Sequence, residues 1–243
     1  MITEKKGPDT SPATSLTCII LAGGLGTRLR SAVPDLPKCM APVADKPFLQ
    51  HVIDYAQKNG VTNFIFSLGY KHDAIEHFLQ EKYPGLIYQS VIEKEPLGTG
   101  GGIQLALQET DADDVLVLNG DTLFDVPLRT LISFHRQHQS ACTLALKPMK
   151  AFDRYGVVEI DESQHIRAFN EKKYYEQGLI NGGVYALNRK AILDLQLPEK
   201  FSFEKDYLEK YYLSERMFGL VEDSYFIDIG IPEDFERAGR ELS

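Results

Sequence analysis

The sequence predicts an α/β fold built on a doubly wound, mostly parallel sheet, and three observations carry that expectation. Apolar, β-rich runs alternate with segments of helical periodicity through the first half of the chain. The first and last of those runs are apolar on both faces, as central strands of a parallel sheet must be. With 243 residues, 43% of them hydrophobic, the chain can bury a substantial core.

The runs Thr17–Ala22 (TCIILA), Asn63–Gly69, Leu86–Ile92 and Asp114–Gly120 (DVLVLNG) read as strands. Between them, Phe48, Val52, Tyr55 and Ala56 share one helical stripe, Ile75, Phe78 and Leu79 share another, and a third helix is expected to start within Gly101–Leu107. This βαβαβαβ order implies right-handed crossovers and a ligand crevice beyond the carboxyl ends of the strands. After Ser140 the pattern changes. ACTLALK, YGVVEI, IRAFNEK and INGGVYAL read as shorter strands, followed by helices at Phe203–Tyr212 and Pro232–Arg240. Neither a repeat nor a low-complexity linker divides the halves, so residues 16–243 are expected to form one domain whose second half elaborates the crevice. Residues 1–15, polar with two prolines, are expected to be a disordered leading segment.

Composition narrows the function classes. A formal net charge of −9 argues against general nucleic-acid or anionic-membrane binding, so a polyanionic ligand must be met by a few placed cations. Cys18, Cys39 and Cys142 are widely spaced and form no C-x-x-C pair, which points to reduced thiols rather than a zinc site or disulfide framework. The first fifteen residues lack the apolar centre of a signal peptide and no stretch has the ~18 apolar residues of a membrane helix. The cytoplasm is the expected location.

The loop after the first strand, in Cys18–Arg30 (CIILAGGLGTRLR), fits neither of two familiar phosphate loops. Leu29 stands where the third glycine of G-x-G-x-x-G belongs, and no G-x-x-x-x-G-K-[ST] can be drawn. That disfavours a nicotinamide-dependent oxidoreductase. The ingredients of a polyphosphate cradle are nonetheless present: glycines admit close backbone approach, successive N–H groups make an anion nest, and Arg28 adds charge-assisted hydrogen bonds. A tight turn carrying a solvated arginine fits the same residues. Asp121 follows an apolar strand, and Asp228 stands about a hundred residues later in FIDIG. Brought together, two such carboxylates would hold Mg²⁺, although an Asx turn and a turn before glycine account for each one singly.

LAGGLGTRL, followed by PKCMAPVADKP, resembles the nucleotide-binding signature of the sugar-1-phosphate nucleotidyltransferases. EPLGTGGGI, LNGD, YGVVEI, FNEK, INGGVY and FIDIGIPEDF resemble that family's later motifs in the family's order, from Thr17 to Arg240. EKEPLGTGG, FDRYGVVEID, GLINGGVY and KFSFE are most similar to its branch of heptose 1-phosphate guanylyltransferases. The resemblance implies a single-domain, Rossmann-like sheet of the nucleotide-diphospho-sugar transferase type. It implies attack by a sugar 1-phosphate on the α-phosphorus of a nucleoside triphosphate, GTP by the narrower likeness, with pyrophosphate leaving.

By the same resemblance the nucleotide site comprises Leu21, Ala22, Gly23, Gly24, Gly26, Thr27, Arg28, Lys38, Glu93, Gly98 and Thr99. The sugar-phosphate site comprises Asp121, Tyr155, Gly156, Glu171, Lys172, Asn181 and Gly182. Arg28 takes the triphosphate, Lys38 reaches the reacting phosphates, Lys172 binds the phosphate of the incoming sugar, and Asp121 and Asp228 hold Mg²⁺. Catalysis then falls to Arg28, Lys38, Asp121 and Asp228. Glu93, five positions before Gly98, falls where relatives meet the base edge. An ionised carboxylate there accepts from the adjacent N1–H and N2–H of guanine and from no comparable pair on the other bases. Because an attacking phosphate is already ionised, no acid–base residue is required. His51, His72, His77, His135, His138 and His165 are therefore read as helix-face or surface residues. Mannose-1-phosphate guanylyltransferase, uridylyl- or thymidylyltransferase and a non-enzymatic nucleotide-sugar-binding relative stay open, as does a homo-oligomer.

Overall fold

The computed structural model describes residues 15–24 and 36–242. Most of the expected leading segment lies outside these residues, and so do Gly26, Thr27 and Arg28 of the first loop.

In chain order, β1 (Leu16–Ala22) is followed by a 3-10 turn (Lys38–Met40), a small hairpin of β2 (Pro42–Val43) and β3 (Lys46–Pro47), and α1 (Phe48–Lys58). Then come β4 (Val61–Leu68), α2 (His72–Lys82), β5 (Ile87–Ile92), α3 (Gly98–Leu107), β6 (Asp114–Asn119), β7 (Thr122–Phe124) and α4 (Leu128–Gln137). The second half adds β8 (Cys142–Phe152), β9 (Val157–Ile160), β10 (Ile166–Asn170), β11 (Tyr175–Asn188), α5 (Arg189–Asp194), a π-helical turn (Phe203–Leu208) and α6 (Glu209–Tyr211). The chain closes with β12 (Met217–Val221), β13 (Phe226–Asp228) and α7 (Pro232–Glu241).

Seven strands form the main sheet in the order β12-β8-β11-β6-β1-β4-β5. β1 pairs in parallel with both β4 and β6, β4 with β5 and β8 with β12, while β11 runs antiparallel to both of its neighbours. The expected mostly parallel sheet is therefore present, with one reversed strand.

Alternation along each central strand splits the core in two. Cys18, Ile20, Phe64, Phe66, Leu116 and Leu118 face one layer, which packs on α1, α2, α4 and α7. Ile19, Ile65, Val115 and Val117 face the other, which packs on α3, α5 and the π-helical turn. Helices thus cover both faces, as continuous apolar strands require. The stripe Phe48, Val52, Tyr55 and Ala56 of α1 is buried, and each such large side chain contributes roughly 1.5–3 kcal/mol of hydrophobic stabilisation. Among the described residues, no helix is long and apolar enough to cross a membrane.

Three details depart from the sequence reading, and a fourth refines it. The third helix begins at Gly98, not within Gly101–Leu107. β8 and β11 are not short strands but run for 11 and 14 residues, extending beyond the sheet to pair with each other over Phe152↔Tyr175 through Asn181↔Leu146. The helix expected at Phe203–Tyr212 opens as a π-helical turn. His51 and His135 lie on helix faces, but on the inner ones, His51 bonded to Val43 O at 3.0 Å and His135 to Thr143 Oγ1 at 3.0 Å. Burial accordingly lowers the pKa of His51. All three cysteines are buried and free, and burial pushes their thiols well above the ordinary range.

Candidate active site

The carboxyl ends of β1 and β6 lie side by side, and a chain of backbone contacts places the groups that follow them. Gly120 N donates to Leu21 O at 2.9 Å, and a Cβ at Gly120 would sit 2.8 Å from that same oxygen. The next residue is Asp121. β7 then pairs antiparallel with β13 in the register Asp228↔Thr122, and Ile229 N donates to Asp121 O at 3.1 Å. This short two-stranded ladder brings together carboxylates more than a hundred positions apart.

Lys38, the first residue of the 3-10 turn, joins them. Its Nζ is ion-paired with Asp121 Oδ2 and lies 3.6 Å from Asp228 Oδ1. Asp228 is held further by Gly230 N, which donates to Oδ1 at 2.7 Å, and by the Tyr155 hydroxyl, which donates to Oδ2 at 3.4 Å. Burial and the neighbouring Asp121 charge push the Asp228 carboxyl above its ordinary value, against the pull of Lys38. Burial and the Asp228 charge likewise raise Tyr155 to about 12, so its hydroxyl keeps the proton it donates. Arg154 donates to the Tyr155 oxygen at 3.1 Å and is ion-paired with Asp234 at the start of α7. Two carboxylates whose oxygens converge on one ammonium form an oxygen-only donor set, which suits a hard divalent cation.

Lys38, Asp121, Tyr155, Asp228 and Gly230 line a cleft of ≈ 1020 Å³. Leu21, Ala22, Gly23, Gly24, Lys38, Glu93, Gly98 and Thr99 of the expected nucleotide site line it, and so do Asp121, Tyr155, Gly156, Glu171, Lys172, Asn181, Gly182 and Asp228. Gly26, Thr27 and Arg28 lie outside the described residues. Glu171 and Lys172 line the cleft as two exposed neighbours, and among the described residues neither has an ion-pair partner. Asn181 is partly engaged within the protein: its Nδ2 donates to the Tyr185 hydroxyl at 2.9 Å and its Oδ1 accepts from Gly183 N at 3.1 Å. Glu93 accepts from Leu97 N at 2.9 Å and from Ser67 Oγ at 3.3 Å.

Other residues lining the cleft went unassigned in the sequence. Asn119, Ser202, Glu204 and Lys205 line it as well. Thr99 joins the start of α3 to the π-helical turn: its hydroxyl donates to Glu204 Oε2 at 3.4 Å and accepts from Phe203 N at 3.0 Å. KFSFE carried a signal in its resemblance, but its polar residues acquire a location only through the π-helical turn, which has no simple periodicity to read.

Residues 17–243 match the Nucleotidyl transferase family. The chain is 50% identical over 228 residues to the D-glycero-alpha-D-manno-heptose 1-phosphate guanylyltransferase of Aneurinibacillus thermoaerophilus, covering 93% of this chain and 98% of that protein. It is 44% identical over 220 residues to the protein of the same name from Campylobacter jejuni, covering 90% and 97%. The crystal structure of HddC from Yersinia pseudotuberculosis complexed with GMP-PN superposes with a TM-score of 0.84 at 38% identity, over 94% of this chain and 100% of that one. The family match spans nearly the whole sequence and relatives align from end to end with the same α/β fold: the chain belongs to the nucleotidyl transferase family.

Proposed function

We propose that this protein transfers GMP from GTP to D-glycero-α-D-manno-heptose 1-phosphate, giving GDP-heptose and pyrophosphate. The observation that carries the reading is the convergence of Lys38, Asp121 and Asp228 in a cleft at the carboxyl edge of the sheet. The identity to two heptose 1-phosphate guanylyltransferases supports the substrate pair. A sugar-phosphate oxygen attacks the α-phosphorus of GTP, a new P–O bond forms, and the bond to the bridging α–β oxygen breaks as pyrophosphate leaves. Transfer of this kind depends on in-line positioning and charge neutralisation. Lys38 supplies positive charge at the reacting phosphates, and Lys172 binds the phosphate of the sugar. Asp121 and Asp228 are the residues to hold Mg²⁺, which when bound supplies charge neutralisation at phosphate oxygens. Glu171 and Asn181 offer hydrogen bonds to sugar hydroxyls, and the Glu93 carboxylate accepts from the guanine edge.

The test is a matrix of GTP, ATP, UTP, CTP and dTTP against heptose and hexose 1-phosphates, with pyrophosphate release as the readout. Release is expected to be fastest with GTP and the heptose phosphate. Faster turnover with mannose 1-phosphate reassigns the sugar, faster turnover with UTP or dTTP reassigns the base, and no release from any pair overturns the enzymatic reading.

A further inference from the structure

The Glu93 carboxylate is held on several sides by the protein. Its backbone N–H donates to Leu68 O at 2.8 Å, which sets the residue beside the end of β4. Its Oε2 accepts from Leu97 N at 2.9 Å, and its Oε1 accepts from Ser67 Oγ at 3.3 Å. Ser67 is 0% exposed on β4, so its hydroxyl has been withdrawn from water. The slot is tight: a Cβ at Gly23 would lie 2.7 Å from Oε1, and one at Gly102 would lie 3.0 Å from Oε1 and 2.8 Å from Ser67 Oγ. Those glycines give the carboxylate and the serine hydroxyl their room.

The chemistry follows from counting acceptor sites. An ionised carboxylate offers about four lone-pair positions over two oxygens. Among the described residues one donor meets each oxygen, which leaves one acceptor site on each for a ligand. A carboxylate fixed on both oxygens presents a paired acceptor in one orientation, whereas one fixed by Leu97 N alone can rotate. We propose that Ser67 is a positioning residue for base selection, whose hydroxyl fixes Glu93 so that its two remaining acceptor sites meet the adjacent N1–H and N2–H donors of guanine. Uracil and thymine, with one N–H between two carbonyls, leave one of those sites unpaired. The inference rests on the reading of Glu93 given above.

Inosine triphosphate is the discriminating probe because it keeps N1–H and lacks the N2 amino group. Initial rates with GTP and with ITP, at a fixed sugar phosphate, are to be compared for the wild type, Ser67→Ala, Ser67→Cys and Glu93→Gln. Ser67→Ala is expected to lower the GTP-to-ITP ratio of kcat/KM about 10-fold, the scale of one hydrogen bond to a charged group. The loss should appear in KM for GTP, with kcat and KM for the sugar phosphate little changed. Ser67→Cys, which keeps a weak donor, should give an intermediate ratio. An unchanged ratio in Ser67→Ala with a reduced one in Glu93→Gln overturns the role of Ser67 and leaves Glu93 as the reader. Equal losses for GTP and ITP together with a lowered melting temperature make Ser67 structural and also overturn it. A wild type indifferent to GTP and ITP, and unaltered by Glu93→Gln, removes the Glu93 reading and the inference with it.

Discussion

At Lys38, one ammonium faces two carboxylates. Replacing either acid by its amide removes charge but hardly any volume. Asp121→Asn and Asp228→Asn are therefore expected to lower turnover by at least ~100-fold, the scale of losing one transition-state charge contact, while circular dichroism and melting stay close to wild type. Near-normal pyrophosphate release from both variants refutes the assignment. Lys172 should behave differently, because it is exposed and has no ion-pair partner among the described residues. Lys172→Ala is expected to raise KM for the sugar phosphate, with KM for GTP unchanged. The reverse pattern means that the two anion sites have been interchanged. In the sequence Asp121 is legible as a polar residue just past an apolar strand, but nothing local to FIDIG places Asp228 beside it. That juxtaposition comes from the register of β13 on β7, two three-residue strands too short to carry a period of their own. The same holds for Ser67, whose hydroxyl in an apolar strand has no visible purpose until Glu93 is brought against it.

α1 and α2 are legible in the sequence because their apolar residues fall on one stripe between apolar, β-rich runs. α4 carries a further stripe in Leu128, Leu131, Ile132 and His135, all buried, whose fourth position is a histidine rather than an apolar residue and so does not mark the stripe in the sequence. In the sequence β8 reads as short because Pro148 resembles a break, and β11 because the polar stretch Tyr175–Gly178 ahead of Ile180 carries no apolar alternation. In the structure the register shifts between Asn181 and Tyr185, and Gly183 takes a φ of +72°, so the chain bends through the interruption rather than ending at it. α4 is tied to the sheet by Asp114, which lies 3.0 Å from Arg136 Nε and 3.4 Å from His135 Nε2 and accepts from Asn188 Nδ2 at 3.1 Å. The His135 and Arg136 contacts outweigh burial and hold this carboxyl well below the usual range. Because its folded pKa is depressed, the stabilisation is fully present above its unfolded pKa near 4 and is lost as pH falls below that value. Asp114→Asn is thus expected to cost about 1–3 kcal/mol at neutral pH. The gap between wild type and variant should narrow as urea melts are repeated at pH 4 and below. A gap that is constant over that range shows that the ionised carboxylate is not what holds α4.

At the scale of the molecule, the site forms where strand order reverses. β1 and β6 are neighbours, the chain winds from β1 toward β4 and β5 on one side and returns to β6 on the other, and the crevice opens at their carboxyl ends. That placement was legible from the alternation of strands and helices alone. The insertion of antiparallel β11 between β6 and β8 was not, because an apolar strand reads the same in either direction. Its effect is to bring Asn181 and Gly182 to the same cleft as Leu21 and Glu93, so that residues far apart in the chain line one cavity. A ligand bound there bridges them and must stabilise the fold through linkage. At a concentration 100 times its dissociation constant, GTP with Mg²⁺ adds about 2.7 kcal/mol, which for a chain of this size raises Tm by roughly 5–10 °C. Equimolar UTP should give a smaller shift, and Asp228→Asn should keep the unliganded Tm but lose most of the increase with GTP. Equal shifts from GTP and UTP remove guanine selection at the level of binding. The absence of any shift with either nucleotide, measured by scanning calorimetry in the presence of Mg²⁺, means that the cleft does not hold the triphosphate, because no ligand bridging these segments can leave the equilibrium unmoved.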